Sequence, residues 1–376
     1  MYSLTQLGWC KLFDSRLDDT HSIGLKPARV AGEERGRYRL WAEAGEGWGE
    51  LSGRQRYEAD SRADLPVVGD WVMANFDLTV HRRDAEDAEK TQGPTRSVFQ
   101  AIIHRVLPRR TKFSRKIAGK TTEEQIVAAN VDTVLLVSSL NAEFNLRRIE
   151  RYLVLAWESG ARPMVVLNKA DLCDDPLPWI LETESSAMGV PVFVTSALGG
   201  DGMEELAACL RGAGTTAFLG SSGVGKSTLI NSLLGKDRLR VAAIREDDAH
   251  GRHTTTSRQM LLLPGGGILI DTPGMRELQL WDAEEGLQHA FPDIESLAQH
   301  CRFSDCHHQT EPGCEVLSAV SAGTLDEGRL QSFRKLQREE EFLRSKQDVW
   351  ARQERDRRIR NIMKEQKRIY RDRKPW

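Results

Sequence analysis

The segment Gly220-Ser221-Ser222-Gly223-Val224-Gly225-Lys226-Ser227 fits G-x-x-x-x-G-K-S/T, a loop that cradles nucleoside phosphates. Its glycines let successive backbone N–H groups turn inward around a β-phosphate, and the start of a following helix adds positive potential. Lys226 would neutralise the β- and γ-phosphates, and the Ser227 hydroxyl would ligate Mg²⁺. Asp271-Thr-Pro-Gly274 follows the apolar run Ile268-Leu269-Ile270. There Asp271 can hold a water of the Mg²⁺ shell, and the Gly274 N–H can meet the γ-phosphate. About one bare D-x-x-G is expected by chance in this length, so its strand context carries the weight. Between the two motifs, Gly251-Arg-His-Thr-Thr-Thr256 offers a second Mg²⁺ hydroxyl; Thr255 is favoured, with Thr254 next. A Thr-rich surface turn is the competing reading of that segment.

Asn168-Lys169-Ala170-Asp171 ends the apolar run Val165-Val166-Leu167. A carboxylate accepts two hydrogen bonds side by side, which suits the N1–H and 2-amino group of guanine. Adenine offers neither donor, so Asp171 would select guanine. Asn168 can bridge the base to the phosphate loop, and the Lys169 stem can cover the ring. Ser196-Ala197-Leu198 follows another short apolar run and could offer the Ala197 N–H to guanine O6.

A third constellation is Cys301-x4-Cys306-x-His308-x5-Cys314, with three thiolates and an imidazole. Four such ligands with no open position describe a structural Zn²⁺ site. The spacing differs from a C-x-x-C knuckle, and His300 and His307 are rival ligands.

These motifs need strand ends and helix starts to position them. From about Asn130 the pattern alternates strand and helix: Val131 to Ser138, Leu146 to Glu158, Pro163 to Leu167, Val190 to Val194, Gly202 to Arg211, Thr216 to Leu219, Lys226 to Leu234 and Gly267 to Ile270. Such alternation predicts a parallel sheet with helices on both faces, whose ligands bind beyond the carboxyl ends of the strands. Between Arg37 and about Lys116 short runs broken by glycines predict a small antiparallel barrel. Leu330, Phe333 and Leu336, then Ile359, Ile362, Met363, Ile369 and Tyr370, recur at helical spacing.

The chain has 376 residues and a formal net charge of −2. That total hides position, because Ala351 to Trp376 hold 11 Lys/Arg against 4 Asp/Glu. A second basic strip, Arg105 to Lys116, is either a solvated linker or an RNA-facing surface. Met1 to Leu17 lacks a basic stretch followed by an apolar run, and no apolar run approaches the ~18 residues of a membrane span. Neither a secretory signal nor a membrane partner is expected. Six cysteines in this length are too few for a disulfide scaffold and point to a reducing cytoplasm.

The motifs are the five elements of a GTPase in an inverted order. The base-recognition elements at 168 and 196 precede the phosphate elements at 220, 255 and 271. A sheet fold tolerates such permutation where its original termini lie close together. On these residues the chain resembles the circularly permuted, small-subunit-dependent GTPases of bacteria, which act in late assembly of the small (30S) ribosomal subunit. The resemblance extends to Leu107-Pro-Arg-Arg110, Glu123-Glu-Gln125, Ala128-Ala-Asn-Val-Asp132 and the whole loop from Gly220 to Thr228. It covers nearly the whole chain. It implies an N-terminal OB-fold barrel, a circularly permuted P-loop GTPase domain and a C-terminal helical zinc-binding domain. The corresponding limits are an extension over 1–34, a barrel over 35–114, the GTPase over 115–281 and the zinc-binding part with its basic tail over 282–376. The family's pattern aligns with His308 as the fourth zinc ligand. It also implies GTP and GDP as ligands, Mg²⁺, one structural Zn²⁺, and the small subunit and its rRNA as partners of a monomer. The basic tail is longer or more charged than the family requires.

In Ras-like enzymes a glutamine after D-x-x-G orients the attacking water. Met275 stands there and can neither donate nor accept usefully. His253, beside the Mg²⁺ threonine, is the best internal substitute, and the resemblance points to the same position. A solvated loop histidine is the alternative. Slow intrinsic hydrolysis, accelerated on the ribosomal subunit, is the expectation.

Overall fold

The computed structural model describes residues 2–15, 24–34, 36–77, 98–116, 124–235, 258–271 and 283–345. His253, Thr254, Thr255, Gly274 and Met275 therefore lie outside the described residues, as does the basic tail beyond 345.

Five strands close a barrel: β1 (Lys26–Glu34), β2 (Arg37–Ala42), β3 (Gly45–Leu51), β4 (Trp71–Asp77) and β5 (Val98–Val106). They pair in the circuit β1-β2-β3-β5-β4-β1, with β3 and β5 parallel and the others antiparallel. This is the closure of an OB-fold. Ala28, Val30, Leu40, Val72, Phe99 and Ile103 fill its interior. β1 corrects the limit of 1–34 drawn for an extension, because the barrel begins at Lys26. That strand escapes sequence reading because the charged Arg29 interrupts its buried run. The short helix α1 (Lys11–Asp14) and its preceding turn pack beside the barrel. There Leu7 and Phe13 are fully buried, and the Trp9 ring meets Trp71 edge-on at 4.7 Å. A second short helix, α2 (Gly53–Glu58), follows β3.

Arg29 joins three parts of the chain. Its guanidinium donates to the carbonyls of Leu7, of Gly69 at 3.3 Å and of Asn130 at 3.0 Å. Burial pushes its pKa down to about 10. The hairpin β6 (Lys112–Lys116) and β7 (Glu124–Ala129) leads from the barrel into the second sheet.

That sheet contains β8 (Thr133–Ser139), β9 (Arg162–Asn168), β10 (Val192–Val194), β11 (Thr215–Leu219) and β13 (Ile268–Asp271), parallel in the order β10-β9-β8-β11-β13. β12 (Gln259–Leu262) adds antiparallel to β13, a departure from the all-parallel expectation. It also meets β1 at the pair Gly32 and Gln259, so barrel and sheet are continuous. Alternate residues serve two cores. Val134, Leu136, Val165 and Leu167 face α3 (Leu146–Glu158), whereas Leu135, Val137, Val166 and Phe218 face α5 (Met203–Arg211) and α6 (Lys226–Leu234). Burial on both faces is why these strands read as unbroken apolar runs. α4 (Leu177–Ser186) lies between β9 and β10 in sequence.

The C-terminal part contains α7 (Glu284–Ala290), α8 (Pro292–Ala298), α9 (Glu315–Ser321) and α10 over 327–345. Leu330, Phe333 and Leu336 form the buried stripe of α10, as their spacing predicts. Arg329 anchors it. Its guanidinium grips both Asp293 oxygens at 2.7 and 2.8 Å, donates to Glu150 Oε1 of α3 at 3.2 Å and lies over the Phe291 ring at 4.7 Å. The Ser186 and Ala290 carbonyls take its remaining donors. Among the described residues no helix is long and apolar enough to cross a membrane.

Candidate functional site

The phosphate loop runs from the end of β11 at Leu219 to the start of α6 at Lys226. Gly225 has φ 95°, and a Cβ there would lie 2.3 Å from Asn168 Nδ2, so only glycine fits. The Lys226 ammonium donates to the carbonyls of Gly220 at 2.7 Å and Ser221 at 2.6 Å, which holds it within the loop. Ser227 and Thr228 follow in the first turn of α6, where backbone N–H groups have no partner within the helix.

Asn168 ties this loop to the base-recognition elements. Its Nδ2 donates to the Val224 carbonyl at 2.9 Å, and its Oδ1 accepts from Thr195 Oγ1 and the Ala197 N–H, both at 3.2 Å. The Ala197 N–H assigned to guanine O6 on sequence grounds thus donates to Asn168 here. Lys169 takes a left-handed conformation (φ 64°), which turns the chain into the 3-10 segment Ala170–Leu172 and sets out Asp171. Ser196 Oγ donates to Asp171 Oδ1 at 2.6 Å and accepts the Gly199 N–H at 2.9 Å, so the carboxylate is held in one orientation. The sequence-predicted set Asn168, Asp171, Ser196, Ala197, Val224 and Lys226 is brought together at neighbouring strand ends, where such a sheet binds ligands.

Asp271 closes β13 and sits close enough to Lys226 to feel its charge. Burial raises its carboxyl pKa, and the Lys226 ammonium opposes the rise without cancelling it. A half-buried carboxylate beside the phosphate loop fits a divalent cation, whose own charge would favour the ionised form. Ser227 and Asp271 are the described residues that would hold Mg²⁺.

Sequence reading missed Arg148. Its Nη1 donates to Ser221 Oγ at 3.0 Å from the first turn of α3. The two residues are far apart in sequence and share no motif. Three cations of the strip Arg105 to Lys116 are ion-paired. Arg109 grips both Asp70 oxygens at 2.9 and 2.8 Å, Arg110 pairs with Asp132, and Lys112 meets Glu124 at 2.7 Å. Those three cations therefore hold the barrel, the hairpin and the second sheet together. Their acidic partners are distant in sequence, so a running charge count cannot reveal them.

The cysteine cluster forms as the spacing predicts. Cys301, Cys306, His308 and Cys314 place their ligand atoms within 4.8 Å of one another. Cys301 and Cys314 sulfurs are 3.9 Å apart, and His308 Nδ1 lies 3.6 and 3.4 Å from them. Tetrahedral Zn–S bonds of about 2.3 Å require sulfurs about 3.8 Å apart, so the donor set fits zinc. His300 Nδ1 is engaged by the Ser296 carbonyl, and the cluster includes His308 rather than His307. His308 has φ 55°, a turn that brings its ring inward. The Glu311 carboxylate accepts the N–H groups of His307, Gln309 and Thr310 and shapes this loop. Backbone amides, its own first, hold its pKa down to about 2.

A model of the RsgA GTPase family matches residues 106–281. The small ribosomal subunit biogenesis GTPase RsgA of Opitutus terrae is 45% identical over 357 residues, which are 94% of this chain and 95% of that protein. The protein of the same name from Streptomyces coelicolor is 52% identical over 255 residues, 67% of this chain and 69% of its own. The crystal structure of YjeQ from Thermotoga maritima matches with a TM-score of 0.59 at 29% identity, covering 84% of this chain and 98% of that one. The crystal structure of YloQ, a circularly permuted GTPase, shares the fold with a TM-score of 0.58 at 22% identity over 86% of this chain and 98% of that one. Identity sustained along whole chains, on a fold whose motif order is itself inverted, makes this chain a member of the RsgA GTPase family.

Proposed function

We propose that this GTPase acts in late maturation of the small (30S) ribosomal subunit, binds its rRNA, and leaves when GTP is hydrolysed. The observation that carries the reading is 45% identity across 94% of the chain and 95% of a relative named for small ribosomal subunit biogenesis. The OB-type barrel supports an RNA-binding role, since such barrels take oligonucleotides on one face. The basic residues after Ala351 supply a second cationic arm.

At the nucleotide, Asp171 selects guanine, Asn168 and Lys169 frame the base, and residues 220–228 hold the phosphates. Mg²⁺ would be held by Ser227, by Asp271 through a water, and by Thr255; when bound it neutralises charge developing on the phosphates. Lys226 shares that neutralisation. With Met275 unable to position water, His253 takes that part, and the subunit accelerates the step. Cys301, Cys306, His308 and Cys314 would hold one structural Zn²⁺. The protein works as a monomer in the cytoplasm.

The test is GTP turnover and co-sedimentation with isolated small subunits, in GTP analogue and in GDP, across a salt series. Turnover should rise with subunits, association should be tighter with the analogue, and it should weaken as salt increases. Turnover indifferent to subunits, together with no co-sedimentation, would overturn the reading.

A further inference from the structure

One residue of the phosphate loop carries two contacts of different kinds. The Ser221 carbonyl accepts from the Lys226 ammonium at 2.6 Å, and the Ser221 hydroxyl accepts from Arg148 at 3.0 Å. The β- and γ-phosphates of a nucleotide are stronger acceptors for Lys226 than a neutral carbonyl, because charge-assisted bonds are roughly twice as strong. Nucleotide binding therefore draws the ammonium away from the Ser221 peptide, and GTP, whose γ-phosphate GDP lacks, draws it further. The contact seen at Ser221 is thus the one that nucleotide would break, and Arg148 is bonded to the same residue.

Arg148 does not stand alone on α3. Arg151, three residues on, shares its side of the helix, and Arg147 in turn neighbours Arg151 at the i,i+4 spacing. Arg147 pairs with Asp326 just ahead of α10, and Arg151 grips both oxygens of Glu339 within α10 at 2.7 and 2.6 Å. Arg147 also meets Glu150 at 2.6 Å, and Glu150 in turn receives Arg329 of α10. The first half of α3 is thus bonded both to the phosphate loop, at Arg148, and to α10 and the residue ahead of it, at Arg147, Glu150 and Arg151. Its 13 residues form a regular helix with a buried apolar side, capped by Asn145 accepting the Arg148 N–H at 3.0 Å. Such an element moves as a body.

We propose that Arg148 is a positioning residue for the phosphate loop, and that through α3 it couples the nucleotide state of that loop to helix α10. The coupling must be reciprocal: whatever nucleotide does to α10, a change at α10 does to nucleotide affinity by the same factor. It depends on GTP and GDP binding alone and holds whether or not the ribosomal subunit is the partner.

The test uses the full chain, with two readouts for each variant. The first is the ratio of affinities for a non-hydrolysable GTP analogue and for GDP. The second is amide hydrogen exchange across residues 327–345 with each nucleotide bound. In the wild type, exchange in 327–345 should differ between the two nucleotides. Arg148→Ala and Ser221→Ala should each remove most of that difference and shift the affinity ratio by about fivefold, the low end of typical couplings. Arg148→Lys, which keeps a donor, should retain part of it. Glu339→Gln, far from the nucleotide, should shift the affinity ratio in the same direction, and combining it with Arg148→Ala should add little. Identical exchange in the wild type with both nucleotides would overturn the proposal. So would an Arg148→Ala protein whose exchange difference is intact. If Arg148→Ala fails to fold, Ser221→Ala decides between the same two outcomes without altering α3.

Discussion

Asn168 Nδ2 and the Val224 carbonyl lie 2.9 Å apart, so the first residue of the Asn168–Asp171 motif also braces the phosphate loop. Asn168→Ala removes that bond and strands Thr195 Oγ1 and the Ala197 N–H. Each buried polar group left unpaired costs about 1–3 kcal/mol. Affinity for GTP and GDP should fall together by at least roughly tenfold, because about 1.4 kcal/mol is tenfold. Titration with fluorescent GDP and a thermal melt check this; unchanged affinity with a lowered melting temperature would assign Asn168 to stability alone.

Asp171→Asn exchanges one acceptor for a donor. Xanthine carries a carbonyl where guanine carries its 2-amino group, so the variant should prefer xanthosine triphosphate over GTP. Ser196 Oγ, which donates to Asp171 at 2.6 Å, can still donate to the amide oxygen of the substituted side chain, so the fold should persist. Competition between the two nucleotides measures the switch.

Asp271 gives a pH signature. Burial raises its carboxyl pKa above the ordinary range despite Lys226. Mg²⁺ needs the carboxylate, so Mg²⁺-dependent tightening of nucleotide binding should be lost as pH falls, beginning at a higher pH than for an ordinary aspartate. The stability linkage has the opposite sign. A carboxyl with a raised folded pKa contributes stability below its unfolded value and loses it as pH rises through the folded one. Acid should therefore weaken the Mg²⁺ effect without unfolding the protein through this group. Mg²⁺ titrations between about pH 5 and pH 8 check it, with Asp271→Asn removing the trend.

The metal cluster permits a clean separation. Cys314 is both a candidate ligand and the N-cap of α9, where its sulfur accepts the Leu317 N–H at 3.4 Å. Serine is a preferred cap and a poor zinc ligand. Cys314→Ser should keep the start of α9 and lose the metal, which elemental analysis would report as a fall from one zinc per chain to none. Wild-type protein purified without zinc would refute the site.

Arg29→Met tests the junction of barrel and GTPase sheet. It leaves the carbonyls of Leu7 and Asn130 without their donor in a fully buried place, while Gly69 keeps Asn130 Nδ2 at 3.1 Å. A loss of about 3 kcal/mol or more is expected in denaturant unfolding.

The GTPase sheet was legible because its strands are buried on both sides and end in functional loops. Leu146–Glu158 and Lys226–Leu234 appear with the bounds that their spacing predicts. The nucleotide motifs were legible because chemistry fixes residue type at fixed offsets. β1 was not, since Arg29 interrupts an otherwise apolar run and finds its partners in three distant segments. The ion pairs of Arg109 and Arg110 were hidden for the same reason, and so was Arg148, whose partner Ser221 is 73 residues away. Local pattern reports burial and propensity; it does not report who meets whom across the fold.

The bridge between Gly32 and Gln259 makes the barrel and the GTPase sheet one beam. Gln259 begins β12, directly after the stretch 251–257 that carries the threonines and the histidine assigned to magnesium and water. A load applied to the barrel is therefore carried through Gln259 to β12 and on to β13, which ends at Asp271. Whatever grips the barrel pulls on the strand pair that carries Asp271.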